Sequence, residues 1–226
     1  MTSLLASPTR LIQTALVVLI VVISASIHEF GHAWAAYQCG DPTAAEEGRL
    51  TINPAAHIDP FGSVILPLLL ALAGGVTLAY ARPVPYNPNR LRNRRRDEVI
   101  VAVAGPAMNL VQAVFGAVAF RLLSPRLVLL DGVWGVWAAR ALLLYVSVNV
   151  SHMLFNLIPL PPLDGSKILT PLFRGEALNR SYQVQRYAMP IMLVLLFVLP
   201  EYLGIDPIGA YVGGVGGRII EFLLGA

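Results

Sequence analysis

An all-α polytopic membrane protein, with about five to six membrane-embedded helices, is the fold class this sequence predicts, and three observations predict it. Of its 226 residues, 56% are hydrophobic and only 13% are charged; a soluble domain carries about a quarter charged residues. The apolar residues come in runs long enough to cross a bilayer rather than at the spaced positions of a surface helix. The basic residues gather in the connections between those runs, where they orient membrane proteins.

The first run extends from about Arg10 to Gln38 and ends at Gly40-Asp41-Pro42, a helix-stop cluster. Its stretch from Leu11 to Ile27 has no charge, and its only polar groups are Gln13, Thr14, Ser24 and Ser26. From Glu46 to Asp59 the sequence turns polar, and Arg49-Leu50-Thr51-Ile52-Asn53 alternates like a short strand before Pro54, which predicts a small β-hairpin or re-entrant element after the first helix. Phe61 to Ala81 is apolar but interrupted by Pro67 and Gly74-Gly75, so it either spans or re-enters. Arg82 to Arg96 holds six arginines and no acid, and the positive-inside rule makes this loop cytoplasmic and brings it near anionic lipid.

A helix from Asp97 to Leu123 follows, containing Ala104-Gly105-Pro106 and Asn109; small residues there let neighbouring backbones approach closely. The next helix, Val133 to Ile158, places Asn149, His152 and Asn156 on one inward face before Pro159, Pro161 and Pro162 stop it. Ser181 to Leu203 reads as another span, and Asp206 to Gly225 as a weaker Gly-rich one or an amphipathic surface helix. No repeat, linker or soluble module divides residues 1–226, which read as one domain with a core over 10–167 and C-terminal helices over 168–226.

Some function classes drop out. The net charge of +3 reflects topology, and the aromatic interleaving in a basic patch that base stacking would need is absent, so nucleic acid is not an expected partner. Cys39 is the only cysteine, which excludes an intramolecular disulfide and a cysteine metal cluster. A cleaved signal peptide would remove or truncate the first helix and is not expected.

Chemistry concentrates at the end of the first run, in His28-Glu29-Phe30-Gly31-His32. On a helix the two imidazoles, four residues apart, project from one face, a spacing that suits two ligands of one tetrahedral zinc ion. Glu29 is badly angled to be a ligand but can reach a water in the open position and act as general base. Ionisable groups in a membrane helix cost about 2.5–3.5 kcal/mol each, which weighs against the bland alternative of two histidines satisfied by backbone carbonyls. A third ligand is required. Asp164 stands out because it follows a proline-broken helix end and precedes Gly165, although Asp-Gly is also a common polar turn.

These residues, together with Ala104-Gly105-Pro106 and Asn109, and with the run from Asn156 through Pro159, Pro161 and Pro162 to Leu163-Asp164-Gly165, resemble the three signatures of the site-2 protease family of intramembrane zinc metalloproteases. The likeness covers roughly residues 14–167 and extends to Asn53–Pro60 and Ala81–Pro88, as in the compact members without a PDZ or nucleotide-binding module.

The resemblance implies one zinc ion per chain, held by His28, His32 and Asp164, with Glu29 activating water. Asn156 would bind the scissile peptide or its oxyanion, Gly105 and Pro106 would bring core helices together, and Asn109 would support the site. Apart from the resemblance, His57 reads as a residue that gates access or simply satisfies a turn. The reaction implied is hydrolysis within transmembrane segments of another membrane protein, or of signal-peptide remnants, in a prokaryotic cell membrane with the active site nearer the cytoplasm. The rivals are a membrane zinc carrier or sensor, in which Glu29 would be dispensable, and a non-catalytic scaffold for membrane helices. The oligomeric state is not encoded in any pattern here.

Overall fold

The computed structural model describes residues 8–65, 81–129, 133–176, 178, 183 and 185–225. Helix α1 spans Pro8–Gln38. It ends in a Schellman turn, where Gly40 takes φ +105°, its N–H donates to the Tyr37 carbonyl at 3.1 Å and the Asp41 N–H donates to Ala36 at 2.9 Å. Glycine accepts this left-handed conformation at no steric cost, so the chain reverses and the short helix α2, Thr43–Glu46, folds back at the same end.

Helix α3 spans Arg94–Leu129. Its start is fixed reciprocally: the Asn93 side chain accepts the Arg96 N–H at 3.3 Å, and the buried Asp97 carboxylate accepts the Asn93 N–H at 2.8 Å. Helix α4 spans Val133–Asn156 and returns to the end where α1 finishes. The prolines that stop it lead into α5, Asp164–Leu169. The chain ends with α6, Ala188–Leu193, which continues in wider π-type turns to Leu203, and α7, Pro207–Leu224.

The core is built where α3 and α4 pack along each other. Ala113 and Ala117 of α3 meet Val146, Val150, Met153 and Leu154 of α4, and Val212, Ile219 and Leu223 of α7 cover the cluster. Small residues permit this close packing without a water-driven hydrophobic force, as bilayer helices require. A second cluster joins Ala35, Ala36 and Cys39 at the end of α1 to Val101 of α3 and Leu91 of the arginine-rich loop. Large apolar side chains such as Phe115, Leu122 and Trp134 are exposed on the outside of the bundle, the arrangement expected where lipid is the solvent.

Two expectations need correction. Among the described residues there is no strand, so no β-hairpin follows the first helix. The alternation of Arg49–Asn53 is outcompeted by local side-chain bonds: Thr51 Oγ1 accepts the Asn53 N–H at 3.1 Å, Asn53 Oδ1 accepts the Ala55 N–H at 3.1 Å, and His57 Nε2 donates to the Thr51 carbonyl at 2.7 Å. Backbone groups satisfied in this way are not available to a ladder.

Among the described residues the number of candidate spans is also below the expected five to six membrane-embedded helices. Among the described residues three helices, Ile12–Gln38, Arg94–Leu127 and Val133–Asn156, are long and apolar enough to cross a membrane, or four if one bent pair counts as a span. That pair is Ala188–Leu203 and Pro207–Leu224, bent by 98°. Gly204 at φ +64° ends the first half, and Asp206 caps the second by accepting the Gly209 N–H at 2.7 Å. Of Phe61 to Ala81, the structure describes the π-type turn Pro60–Ile65; residues 66–80, and with them the choice between spanning and re-entering, lie outside the described residues.

Candidate metal centre

The two histidines of α1 project from one face of its last turns, and α5 delivers Asp164 to the same point. His28 Nε2 and His32 Nε2 lie 3.0 Å apart, and each is 3.1 Å from Asp164 Oδ2. Asp164 arrives through the proline turn, in which Leu160 N–H donates to Ile158 and Leu163 N–H to Leu160. Gly165 is required there, because a Cβ on it would strike the carbonyls of Leu157 and Ile158. The result is a nearly equilateral triangle of donor atoms, with His28 and Asp164 buried.

The proton positions decide what the triangle can hold. His32 Nδ1 lies 2.7 Å from the Val101 carbonyl, which can only accept, so Nδ1 carries the proton. His28 Nδ1 lies 2.5 Å from Asn109 Oδ1, and the Asn109 amide nitrogen is already directed at Ser24 Oγ at 3.0 Å and Asn149 Oδ1 at 3.2 Å. The Asn109 oxygen therefore faces the imidazole, and His28 is also protonated on Nδ1. In their neutral forms both imidazoles therefore turn their Nε2 lone pairs to the point where the Asp164 carboxylate oxygen lies, all three atoms within hydrogen-bond distance of one another. Such a cluster of donors is matched to a cation. Ligand atoms around tetrahedral zinc sit about 3.3 Å apart, close to the observed separations. Among the described residues this is the one group of three such side chains able to hold a metal ion.

Helix α3 is pressed against this site. A Cβ on Gly105 would overlap both imidazoles, and one on Gly31 would meet the Ala104 carbonyl and the Met108 side chain. Pro106 follows within the helix, where its missing N–H leaves the carbonyl one turn earlier without its usual donor.

Beneath the triangle runs a buried polar network. Ser24 donates to Asn149 Oδ1 at 2.9 Å, Gln112 Nε2 donates to the Ser24 carbonyl at 3.3 Å, Tyr145 donates to Gln112 at 2.8 Å, and Asn149 Nδ2 donates to the Tyr145 carbonyl at 2.9 Å. His152 stacks on His28 with ring centroids 4.8 Å apart and planes 11° from parallel, its Nδ1 3.3 Å from Ser24 Oγ. Sequence reasoning marked the Asn149 and His152 face but missed Ser24, Gln112 and Tyr145. Helical spacing could have found two of them, since Ser24 lies four residues before His28 and Gln112 three after Asn109.

The remaining candidates sit as follows. Glu29 Oε2 accepts the Val84 N–H at 2.7 Å. Asn156 Nδ2 donates to the His152 carbonyl of its own helix at 3.1 Å, so this conformation does not present its amide to the triangle. His57 is fully buried in the loop after α2 and holds that loop to Thr51; it takes no part in the triangle. Tyr86 is near enough to feel the site: burial first, then the charges of Glu98 and Asp164, push its hydroxyl above the ordinary tyrosine range.

Comparison with known proteins places these residues in context. The model of "Peptidase family M50" matches residues 15–133 and 132–199. The chain is 34% identical over 203 residues to "Putative zinc metalloprotease YwhC" of Bacillus subtilis, covering 86% of this chain and 82% of that protein. It is 33% identical over 184 residues to "Putative zinc metalloprotease Rip2" of Mycobacterium tuberculosis, covering 81% of this chain and 66% of that protein. The protein of the same name in Mycolicibacterium smegmatis is 29% identical over 212 residues, with 89% and 78% covered. No solved structure matches the chain significantly.

Proposed function

Because this chain belongs to peptidase family M50 and is a zinc metalloprotease, we propose that it is an intramembrane endopeptidase, hydrolysing peptide bonds within transmembrane segments of other membrane proteins or within signal-peptide remnants. The observation that carries this reading is the site's position: two of its three donor side chains lie on α1, one of the helices apolar enough to cross a membrane. A peptide bond reaching His28 and His32 from within the bilayer belongs to a membrane-embedded chain.

In this reading His28, His32 and Asp164 hold one zinc ion, which when bound supplies a Lewis acid that lowers the pKa of the attacking water and polarises the scissile carbonyl. Glu29 has Oε2 engaged by the Val84 N–H, leaving Oε1 to take the water's proton and return it to the leaving amine nitrogen. Asn156 turns its amide from the His152 carbonyl to the scissile carbonyl oxygen. Asn109 holds the His28 tautomer, Gly105 and Pro106 bring α3 against the imidazoles, and His57 anchors the loop beside Glu29. The substrate helix must unwind locally, because a formed helix hides its carbonyls from attack.

Residues 1–226 act as one domain, core 10–167 with C-terminal helices 168–226. The arginines of residues 82–96 lie at the same end of the bundle as the site, which supports the reading of an active site nearer the cytoplasm; the membrane in this reading is a prokaryotic inner membrane, with lipid as the solvent.

The test is zinc content and cleavage of a helix-destabilised transmembrane substrate in liposomes, for wild type, Glu29→Gln and Asp164→Ala. Zinc in wild type and Glu29→Gln, cleavage in wild type only, and weakened zinc in Asp164→Ala are expected. A wild type that cleaves soluble unfolded peptides while leaving every membrane-embedded one intact would overturn the intramembrane reading.

A further inference from the structure

Arg49 is a buried cation that none of the steps above uses. The sequence places it through a second Schellman turn: Gly48 takes φ +67°, its N–H donates to Ala45 at 3.0 Å, and the Arg49 N–H donates to Ala44 at 2.7 Å, closing α2. The side chain is thereby turned inward, 6% exposed. Its Nη2 donates to the carbonyls of Arg82 at 2.7 Å and Pro83 at 3.3 Å, while its Nε is buried without a partner among the described residues. Burial and then neighbouring Arg82 lower the pKa of this guanidinium, and the charges of Glu29 and Glu47 act the other way. A desolvated guanidinium with an unsatisfied donor is costly, so its contacts require an explanation.

The segment it grips is the one that meets Glu29. Residues 81–87 are irregular, and Pro83 and Pro85 remove two N–H donors. The donors at 82, 84 and 87 all point into the protein: Arg82 to the His57 carbonyl at 2.8 Å, Val84 to Glu29 Oε2 at 2.7 Å, and Asn87 to Asp41 Oδ2 at 2.5 Å. Asp41 and Arg49 flank α2, so one short element braces the segment at both ends, and the Val84 N–H lies between the braces.

We propose that Arg49 is a positioning residue for hydrolysis: by holding the carbonyls of residues 82 and 83 it fixes the Val84 N–H on Glu29 Oε2 and so determines which carboxylate oxygen is free for the water's proton. This rests on the reading of Glu29 as the general base. A guanidinium suits the task because the two N–H bonds of its Nη2 are fixed in one plane and can meet two adjacent carbonyls at once, which a freely rotating lysine ammonium does less well.

The test uses the zinc-loaded full chain with a helix-destabilised transmembrane substrate. Arg49→Met lowers kcat roughly 10- to 100-fold with KM changed less than about twofold and zinc stoichiometry unaltered, and Arg49→Lys recovers part of kcat. Val84→Pro, which removes the N–H while leaving Arg49 in place, lowers kcat similarly. The double variant is little worse than Val84→Pro alone, because both act through one hydrogen bond. Wild-type kcat in Arg49→Met, or losses that multiply in the double variant, overturn the proposal. Should Arg49→Met fail to accumulate, Arg49→Lys combined with Val84→Pro decides by the same criterion. Glu29→Gln runs in parallel: cleavage retained there overturns the general-base reading and this proposal with it, whereas cleavage lost there with Arg49→Met unaffected overturns this proposal alone.

Discussion

Asn109 sets the tautomer of His28. Its side-chain oxygen lies 2.5 Å from His28 Nδ1, and its nitrogen is committed to Ser24 and Asn149, so the amide cannot be turned over without breaking both bonds. The proton is held on Nδ1, and the Nε2 lone pair is free for a metal ion. Replacing Asn109 by Leu is therefore expected to weaken zinc binding about 10- to 100-fold, measured by competition with a chromogenic chelator. Unchanged affinity would mean that the hydrogen bond orients nothing.

Gly105 is the point where α3 touches the imidazoles. The added methyl of Gly105→Ala overlaps His32 and His28 and cannot be relieved by moving a flexible side-chain end, because both rings are tied through Nδ1. Overpacking of this kind costs about 1–3 kcal/mol. A lowered melting temperature together with substoichiometric zinc is the expected result.

His152 lies against His28 as a stacked ring rather than as a fourth donor. His152→Phe keeps the aromatic face and is expected to retain full zinc stoichiometry and most activity, whereas His152→Ala removes a half-buried ring and lowers stability by about 1 kcal/mol. Loss of zinc in His152→Phe, measured by elemental analysis, would instead make this residue a ligand.

Chelation should both abolish cleavage and soften the protein. A ligand that binds only the folded state at about 1,000 times its Kd contributes about 4 kcal/mol, so metal-free protein should melt earlier and recover on adding zinc. The same shift in Glu29→Gln would separate metal binding from proton transfer.

The parts of the site legible in the sequence are those whose geometry is local. His28 and His32 are one helical turn apart, so their spacing alone places two donors on one face. Asp164 is marked in the sequence only by a family resemblance and a broken helix end; no pattern says that α5 returns to α1, because that depends on how α3 and α4 pack between them. Arg49 reads as part of a strand because Arg49–Asn53 alternates, yet the Schellman turn at Gly48 and the caps at Thr51 and Asn53 are stronger local forces than β pairing. Its link to Val84 and Glu29 joins three separate stretches of chain and leaves no periodic trace. The last two apolar segments read as a span followed by a weaker span or surface helix, because hydropathy does not register the left-handed Gly204 and the Asp206 cap that bend one against the other.

Gly105 also gives the centre a back and a front. With the α3 backbone lying directly on the two imidazoles, no chain can enter from that side, while Glu29 and the braced residues 82–84 border the site elsewhere. Approach to the three donor atoms is thereby limited to the faces that α3 does not cover.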